Sequence, residues 1–352
     1  MTDNKCLTRL KAPLVTKSGF VAALVSQKAF TYCRAQEACA SIKGTQVSTS
    51  IQPVISVVIP AYNREDVIER AIQSLLAQQC DVPFEVVVVN DGSTDHTAEV
   101  VRDITDPKLR LVNQENQGAS AARIHGVTVS RGDYIAFLDS DDVAEPHYLQ
   151  CLYEALVAHP ECVMAYAKVG EMDGSWHQEQ ALPDTDPDGV LADPLTALLQ
   201  NGCFTISMNL MATKAAAKKA MQGRQHVLAS NDFDFCLRVA LQGPYVYVDR
   251  ITICIDRRDD GIGKRFGYRQ VSFAVLVASE AVKLSLRKDE AVKRALTSRI
   301  RLLWPTAFGQ CLAHKQWGFA WKVLMQGLKW GTLSDAKQVY WAVDHYVIKK
   351  QP

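Results

Sequence analysis

Three features of other protein classes are missing from this 352-residue sequence. It has no run of eighteen uninterrupted apolar residues, so we expect no transmembrane helix. The apolar stretch between Lys17 and Lys28 is short and lacks a clear cleavage site, so we expect no secretory signal peptide. The ten cysteines are scattered, with no Cys-x-x-Cys pair and no zinc-ligand spacing. We therefore expect reduced thiols in a cytosolic protein.

Two phosphate-binding motifs are also absent. No Gly-x-Gly-x-x-Gly follows the first apolar strand, which disfavours dinucleotide binding of the usual kind. No Gly-Lys-Ser/Thr phosphate loop occurs either, which disfavours the P-loop nucleotide hydrolases. Any nucleotide that this chain binds must therefore be held by other residues.

Charge is distributed unevenly along the chain, although the overall net charge is only +1. Residues 1–50 contain seven basic and two acidic side chains, whereas residues 264–352 contain sixteen basic and five acidic ones, a net +11. The segment between them carries a net −15. We interpret 1–50 as an extension and linker, 51–263 as an α/β domain, and 264–352 as a region of basic amphipathic helices. Such basic ends are typical of a contact with an anionic surface, or of an ordinary solvated surface.

The middle segment alternates short apolar runs with amphipathic helical patterns. The predicted strands cover residues 55–59, 84–89, 109–112 and 134–138, and the predicted helices between them cover 67–79, 97–104 and 120–129. This alternation predicts βαβ units and a mostly parallel sheet flanked by helices. Right-handed crossovers would place every strand-end loop at one edge of that sheet. We therefore expect Tyr62, Asp91 and Asp139 to lie close together.

Carboxylates crowd the end of the fourth predicted strand, where Asp139, Asp141 and Asp142 follow directly after Leu138. If the chain stays extended, Asp139 and Asp141 point to the same side. Two adjacent carboxylates repel unless a cation lies between them, and hard oxygen ligands suit Mg²⁺ or Mn²⁺ shared with substrate phosphates. The alternative is a solvated acidic turn without a ligand.

Three further side chains are candidate nucleotide contacts. Tyr62 could stack on a base, or it could be an ordinary half-buried tyrosine. Asp91 could accept hydrogen bonds from a base or a ribose, or it could only support an Asn-Asp-Gly-Ser turn. Arg123, on the third predicted helix, could pair with Asp91 or with a phosphate, or it could be a plain surface arginine.

Four motifs in order now resemble a known family. They are ISVVIPAYN at 55–63, VNDGSTD at 89–95, NQG at 116–118 followed by Ala122 and Arg123, and GDYIAFLDSDD at 132–142. Together they are similar to the family 2 inverting glycosyltransferases, which have the GT-A nucleotide-sugar fold. The strong resemblance covers residues 54–160, and a looser one extends to about residue 263.

The resemblance implies a role for each matching residue. Asp139 and Asp141 match the Asp-x-Asp pair that holds a divalent ion, Mn²⁺ or Mg²⁺, on the donor diphosphate. Asp232 matches the base that deprotonates the acceptor hydroxyl. The positions implied in nucleotide-sugar binding are Pro60, Tyr62, Glu65, Asp91, Arg123, Asp139, Ser140, Arg257 and Arg258.

Two positions depart from the family pattern. Asn231 stands where relatives often have Glu, which leaves the base at Asp232 intact. Asp259 stands where a His is frequent, which puts an additional metal ligand there in doubt. Asp232 also has an alternative reading from position alone, because an aspartate at a helix start is often only an N-cap.

The implied activity is metal-dependent transfer, with inversion, of a sugar from a UDP donor to a glycan or lipid-linked acceptor in cell-surface polysaccharide or lipopolysaccharide synthesis. A carboxylate base and a cation on the leaving group are what this displacement requires. We expect no nucleic-acid partner, and a location in the cytoplasm that includes the inner face of the plasma membrane. Two alternatives stay open: a sugar nucleotidyltransferase, and a non-catalytic protein that binds nucleotide sugars.

The C-terminal region combines tryptophan with basic residues. Trp317, Trp321, Leu324 and Leu328 share one helical face, and Trp304, Trp330 and Trp341 lie nearby in sequence. This composition is typical of an interfacial helix that contacts the membrane peripherally. It also suits a stripe that packs on the α/β domain or on a second subunit of a homo-oligomer.

Overall fold

The computed structural model describes residues 52–172, 182–205, 208–223, 231–256 and 289–329. Within these residues one mixed sheet of nine strands forms the centre of the molecule. The strands are β1 (Ile55–Ala61), β2 (Phe84–Asp91), β3 (Leu109–Gln114), β4 (Tyr134–Phe137), β5 (Val143–Ala144), β6 (Met164–Glu171), β7 (Val190–Leu191), β8 (Leu210–Thr213) and β9 (Tyr245–Ile255).

Nine helices are described alongside these strands. They are α1 (Ile68–Leu76), α2 (Thr97–Asp103), α3 (Ala119–Val129), α4 (Tyr148–Ala158), α5 (Pro194–Asn201), α6 (Lys214–Met221), α7 (Asn231–Ala240), α8 (Glu290–Ala313) and α9 (Trp317–Lys329). The expected class, an α/β sheet flanked by helices and followed by C-terminal helices, is confirmed.

Half of the sheet is parallel and carries the four strands that the sequence predicts. Its order is β3-β2-β1-β4, with Val57 paired to Val86 on one side and to Ala136 on the other. Alternate residues of β1 and β2 face two separate apolar layers, so Val58 and Val87 lie in one core and Val57 and Val86 in the other. Strands buried on both faces read as continuous apolar runs, which explains why the sequence revealed them.

Strand direction changes beyond β4. There β8 runs antiparallel to both β4 and β6, while β9 runs parallel to β6 and carries the two-residue strands β5 and β7 on antiparallel pairings. Beyond β4, the β6–β9 pair is therefore parallel and the other pairings are antiparallel. Residues Tyr245–Ile255 form one strand, β9, whose register against β6 shifts at Ala167 and Lys168.

The C-terminal helix α8 packs into the main core. Val292, Leu296 and Ile300 are buried with residues of α5, α7 and the sheet, and Trp304 is fully buried there as well. Packing on the α/β domain is therefore the correct alternative for Trp304. In contrast, Trp317 and Trp321 on α9 are exposed.

Several predictions fall on parts of the chain that lie outside the described residues. These are the extension at 1–50, Arg257, Arg258, Asp259, Trp330 and Trp341. The seven cysteines within the described ranges are free thiols. Among the described helices, none has the length and apolar character needed to cross a membrane.

Candidate active site

The carboxyl ends of the parallel strands meet at one edge of the sheet, as the topology requires. Tyr62 follows the end of β1, Asp91 is the last residue of β2, and Asp139 lies two residues beyond β4. Because β2, β1 and β4 are adjacent, residues far apart in sequence become neighbours here. The expected convergence of these three positions is present in the structure.

The loop after β1 is tied to the loop after β2. Asn63 has a φ of 51°, donates its backbone N–H to the Ser93 hydroxyl (3.0 Å) and accepts the Thr94 N–H on its side chain (2.8 Å). Glu65 accepts the backbone N–H of His96 (2.7 Å) at the start of α2. These bonds hold the exposed Tyr62 on a fixed support. They also give Glu65 a structural contact in addition to its implied role.

Pro60 lies inside β1, a position where proline is normally excluded because it lacks an N–H donor. Here β1 pairs with β4 only from Ile55 to Val58, so the strand has lost that neighbour by the time it reaches Pro60. The residue is buried and remains aligned with Val89 of β2. Beyond Val58, β1 is therefore paired with β2 but no longer with β4, and the candidate site begins there.

Asp91 is nearly fully buried and accepts three hydrogen bonds. Its Oδ1 accepts from the Gln114 side chain (2.7 Å) and from the Gln117 N–H (2.9 Å), and its Oδ2 accepts from the Gly118 N–H (2.8 Å). A carboxylate has about four acceptor positions, so Oδ2 retains one. Asp91 therefore fixes the loop that leads into α3 and still has capacity for one ligand donor.

Arg123 pairs with Asp139 and not with Asp91, which settles one alternative left open by the sequence. Its Nη2 lies 2.5 Å from Asp139 Oδ1, and the arginine is largely buried on α3. Within the part of the chain that the structure describes, its buried Nε has no hydrogen-bond partner. A guanidinium with an unused donor beside a carboxylate is well suited to receive a phosphate oxygen.

The Asp139–Asp142 segment is a turn and not an extension of β4. The Asp142 N–H donates to the Asp139 carbonyl (3.2 Å), so the period-two argument for placing Asp139 and Asp141 on one side does not apply. Each carboxylate instead faces its own arginine: Asp139 contacts Arg123, and Asp141 lies 3.9 Å from the Arg64 Nε. Ser140, between them, is buried.

The donor set fits a divalent ion that is shared with a substrate. Within the described ranges, no three His, Cys, Asp or Glu side chains form a cluster able to hold a metal by themselves. Mg²⁺-like sites commonly use one or two carboxylates and complete their coordination with phosphate oxygens and water. Asp139 and Asp141 would supply the protein's share, and both are already placed opposite positive charge.

Arg70 and Asp256, which no motif in the sequence indicated, hold the Asp139–Asp142 turn in place. Arg70 on α1 donates through one Nη2 to the Asp141 carbonyl (2.9 Å) and to the Asp256 carboxylate (2.7 Å). The Asp256 N–H in turn donates to Asp142 (3.2 Å). This links the acidic turn to the end of β9, immediately before residues 257–258. Arg64, which lies near Asp141, directly follows the PAYN motif, so its position in the sequence could have indicated it. No motif indicates Arg70.

Asp232 lies in the first turn of α7, and its Oδ1 accepts the Phe233 N–H (2.8 Å). Burial raises the pKa of Asp232 above its ordinary value, while the charge of Arg123 lowers that pKa and the charge of Asp139 raises it. Because these charges act on it, the carboxyl lies within electrostatic range of the Arg123–Asp139 pair. A raised pKa strengthens a carboxylate as a base. The hydrogen bond joins Asp232 to the next residue, whereas an N-cap side chain accepts from a residue two or three positions further on.

A protein-family model matches this region of the sequence. Residues 56–219 match the Glycosyl transferase family 2 model. The succinoglycan biosynthesis protein ExoO of Rhizobium meliloti is 46% identical over 103 residues, which cover 29% of this chain and 29% of that protein. The chondroitin synthase of Pasteurella multocida is 41% identical over 107 residues, covering 30% of this chain and 11% of the relative. The chain thus spans less than a third of the length of either relative.

Solved structures share the fold at low sequence identity. Staphylococcus aureus TarS 1-349 in complex with UDP has a TM-score of 0.54 and 19% identity, covering 72% of this chain and 79% of that one. The mannosyltransferase PcManGT of Pyrobaculum calidifontis, in complex with GDP-Man and Mn²⁺, has a TM-score of 0.52 and 16% identity, covering 92% and 88%. The fold is that of the GT-A glycosyltransferases, and residues 56–219 are similar to glycosyl transferase family 2.

Proposed function

We propose that this protein is a metal-dependent inverting glycosyltransferase that uses a UDP-sugar donor. The observation that carries the proposal is the convergence, at one edge of the sheet, of Asp91, the Asp139–Asp141 turn and Arg123, with Asp232 within electrostatic range. This arrangement provides a nucleotide end, a diphosphate centre and a base. The match of residues 56–219 to the family model supports the same conclusion.

The nucleotide end is built for a base that carries a ring N–H. The remaining acceptor position on Asp91 Oδ2 would take that hydrogen, and the exposed ring of Tyr62 would stack on the base. Uracil has such an N–H, and TarS 1-349 has been solved with UDP. A guanine base also has one, which is why a test must include GDP-sugars.

The diphosphate centre handles the charge of the leaving group. A Mn²⁺ or Mg²⁺ ion held by Asp139 and Asp141 would neutralise negative charge that develops on the departing diphosphate. Arg123 would turn its unused Nε and its Nη donors toward a phosphate oxygen. Arg64, close to Asp141, would add a second positive charge.

Asp232 is the proposed base. It takes the proton from the acceptor hydroxyl as that oxygen bonds to the anomeric carbon, while the bond from this carbon to the diphosphate oxygen breaks. UDP leaves with the bonding electron pair, and Asp232 is left protonated. Attack opposite the leaving group inverts the anomeric centre, so an α-linked donor gives a β-glycoside.

The proposed acceptor is a glycan or a lipid-linked glycan of a cell-surface polysaccharide or lipopolysaccharide. Two relatives with the same family segment are named for succinoglycan biosynthesis and chondroitin synthesis, which supports polymer or oligosaccharide acceptors. The proposed setting is the cytoplasmic face of the plasma membrane.

The test is a screen of UDP-linked and GDP-linked sugars with Mn²⁺, in which release of the free nucleotide diphosphate is measured with and without glycan acceptors. Asp232→Asn should lower transfer by about 10²–10⁴-fold with donor affinity nearly unchanged. Asp141→Ala should abolish metal-dependent UDP binding. Asp103→Asn, an exposed aspartate of α2, serves as the matched control and should behave as wild type.

The alternatives give different results in the same assays. A sugar nucleotidyltransferase would release pyrophosphate from UTP and a sugar phosphate, with no UDP formed. A non-catalytic binder would hold UDP-sugars without consuming them, and Asp232→Asn would then change nothing. A loss of less than tenfold in Asp232→Asn would assign that residue to helix capping.

A further inference from the structure

Helix α9 buries one face and exposes another. Ala320 and Val323 are buried on the side that contacts α8. The exposed side presents Trp317 (67% exposed), Trp321 (63%), Met325 (43%) and Leu328 (54%). Spacings of four, four and three residues align these four side chains in one stripe along the helix. We call this set the α9 stripe.

Seven large apolar or aromatic side chains are exposed within the described residues; four of them form the α9 stripe, and the other three, Tyr62, Met172 and Leu302, lie apart in sequence. Trp304, thirteen residues earlier, is fully buried, whereas Trp317 and Trp321 expose about two thirds of their surface. A contiguous exposed apolar strip rimmed by polar residues commonly marks a contact surface. It extends over about 20 Å, the length of a 13-residue helix.

The charge around the α9 stripe defines the partner. The turn before α9 and the helix itself, residues 314–329, contain three lysines and no Asp or Glu. Lys315, in the turn before α9, and Lys322, one residue after Trp321, are both exposed. The Lys322 ammonium lies over the Phe319 ring, 5.5 Å from its centroid, and the long stems of such side chains let their charges stay in water beside an apolar surface. The partner surface should therefore offer an apolar layer to the α9 stripe and negative charges to the flanking lysines.

We propose that the α9 stripe lies in the interface of an anionic lipid bilayer. Tryptophan and leucine in a row with flanking lysines match an interfacial helix, with apolar side chains below the headgroups and lysines among the lipid charges. A second copy of this chain is a poorer partner. A two-fold interface would set the same basic surface against itself, and like charges would oppose it. The inference concerns a surface outside the proposed active site and does not depend on the proposed reaction.

The experiment is vesicle co-sedimentation of the full chain in the presence of a chelator, which removes metal bridging. Vesicles of phosphatidylcholine alone are compared with vesicles that contain 30% phosphatidylglycerol, chosen here as about a third anionic lipid. The protein should pellet with the anionic vesicles at low salt and be released at high salt. It should stay in the supernatant with phosphatidylcholine.

Variants locate the contact. Trp317→Ala with Trp321→Ala should weaken binding at least about tenfold, and Lys315→Gln with Lys322→Gln about 25-fold, roughly fivefold for each charge. The matched control is Lys218→Gln with Lys219→Gln, two exposed lysines of α6 that change the net charge equally. It should bind within about twofold of wild type, since the effect of a surface lysine falls off within a Debye length.

Four outcomes would overturn the proposal. The protein could fail to pellet at low salt, or it could pellet equally with phosphatidylcholine. The α6 control could weaken binding as much as the α9 lysines do. Finally, the tryptophan variant could lower the thermal midpoint or split a dimer without changing vesicle binding, which would assign the stripe to intramolecular packing or to self-association.

Discussion

Burial of Asp232 has opposite effects on its basicity and on the stability of the fold. In its proposed role as a base it would benefit from burial, because desolvation raises its pKa and so its affinity for the acceptor proton. As part of a folded protein it pays for that burial whenever it is ionised. Its environment therefore trades stability for reactivity, a relation that can be measured.

Asp232→Asn is expected to make the metal-free protein more stable at neutral pH while it lowers transfer by about 10²–10⁴-fold. A carboxyl whose pKa is raised in the folded state binds its proton more tightly there than in the unfolded chain, so stability falls as pH rises through that pKa. The asparagine variant lacks this loss. Thermal midpoints measured with a chelator should differ at pH 7 and converge below about pH 4, near the ordinary aspartate pKa. Equal midpoints across the whole range would contradict the account.

Arg123 is the second residue whose environment can be tested directly. Arg123→Gln removes the positive charge that contacts Asp139. We expect Mn²⁺ alone to bind about tenfold more tightly to the variant, because the carboxylate loses a competing charge-assisted hydrogen bond. UDP in the presence of Mn²⁺ should bind more weakly.

Calorimetric titration of Mn²⁺ with and without UDP provides both values for Arg123→Gln. Arg102→Gln is the matched control, since Arg102 also pairs with a carboxylate, Glu99, but on the surface of α2. If Arg123→Gln binds Mn²⁺ as the wild type does, the two cations do not compete for Asp139.

At the scale of elements, α3 is positioned by one close approach. A Cβ added to Gly126 would lie 2.3 Å from a methyl carbon of Val58 in β1. Glycine therefore lets the helix lie against the sheet, three residues after Arg123. Helix propensity alone favours alanine by about 1 kcal/mol, so packing and propensity make opposite predictions here.

Gly126→Ala is expected to lower the free energy of unfolding, because overpacking costs about 1–3 kcal/mol and exceeds the gain in propensity. Gly318→Ala provides the control: a Cβ there meets nothing within 4 Å, so this change in α9 should leave stability equal or slightly higher. Urea unfolding measures both. Stabilisation by Gly126→Ala would show that α3 can move away from β1 without cost.

The elements also show which parts of the fold the sequence could predict. The strands β1 to β4 and the helices between them followed from buried apolar runs and turn residues, which act locally. The strands β5 and β7 have two residues each and exist only because β9 supplies their partners. Helix α5 had a recognisable start, since Asp193 precedes a proline and accepts the Thr196 N–H (3.2 Å), but this signal was overlooked.

The candidate site likewise has a part that the sequence could predict and a part that it could not. Motif positions identified Tyr62, Asp91, Arg123, Asp139 and Asp232, yet the partners of those side chains came only from the structure. Pairing of Arg123 with Asp139 depends on where α3 lies against β1 and β2, and local pattern does not encode it. Glu85 makes the same point: it lies in the apolar strand β2, nearly fully buried, because Ser56 and Arg110 hydrogen-bond to it from neighbouring strands.

For the whole molecule, the C-terminal helices are part of the folding unit. Trp304→Ala should lower the free energy of unfolding by about 3–5 kcal/mol, because a large side chain is removed from a core that α8 shares with α5, α7 and the sheet. Denaturant unfolding followed by far-UV circular dichroism tests this. Trp317→Ala, at an exposed position of α9, is the control and should change stability little. Equal effects would mean that α8 does not share the main core.

The Arg123–Asp139 pair would also govern how the proposed enzyme takes up and releases its metal ion between turnovers. A site that contains its own counter-ion is electrically balanced when empty, so it gains little by retaining a metal ion from solution. The cation and the nucleotide would then bind together as one complex. The diphosphate would replace Asp139 as the partner of Arg123, and the carboxylate would become available to the cation. When the nucleotide leaves, Arg123 would return and the cation would go with the product. The proposed enzyme would thus respond to the concentration of the metal–nucleotide complex rather than to that of free metal.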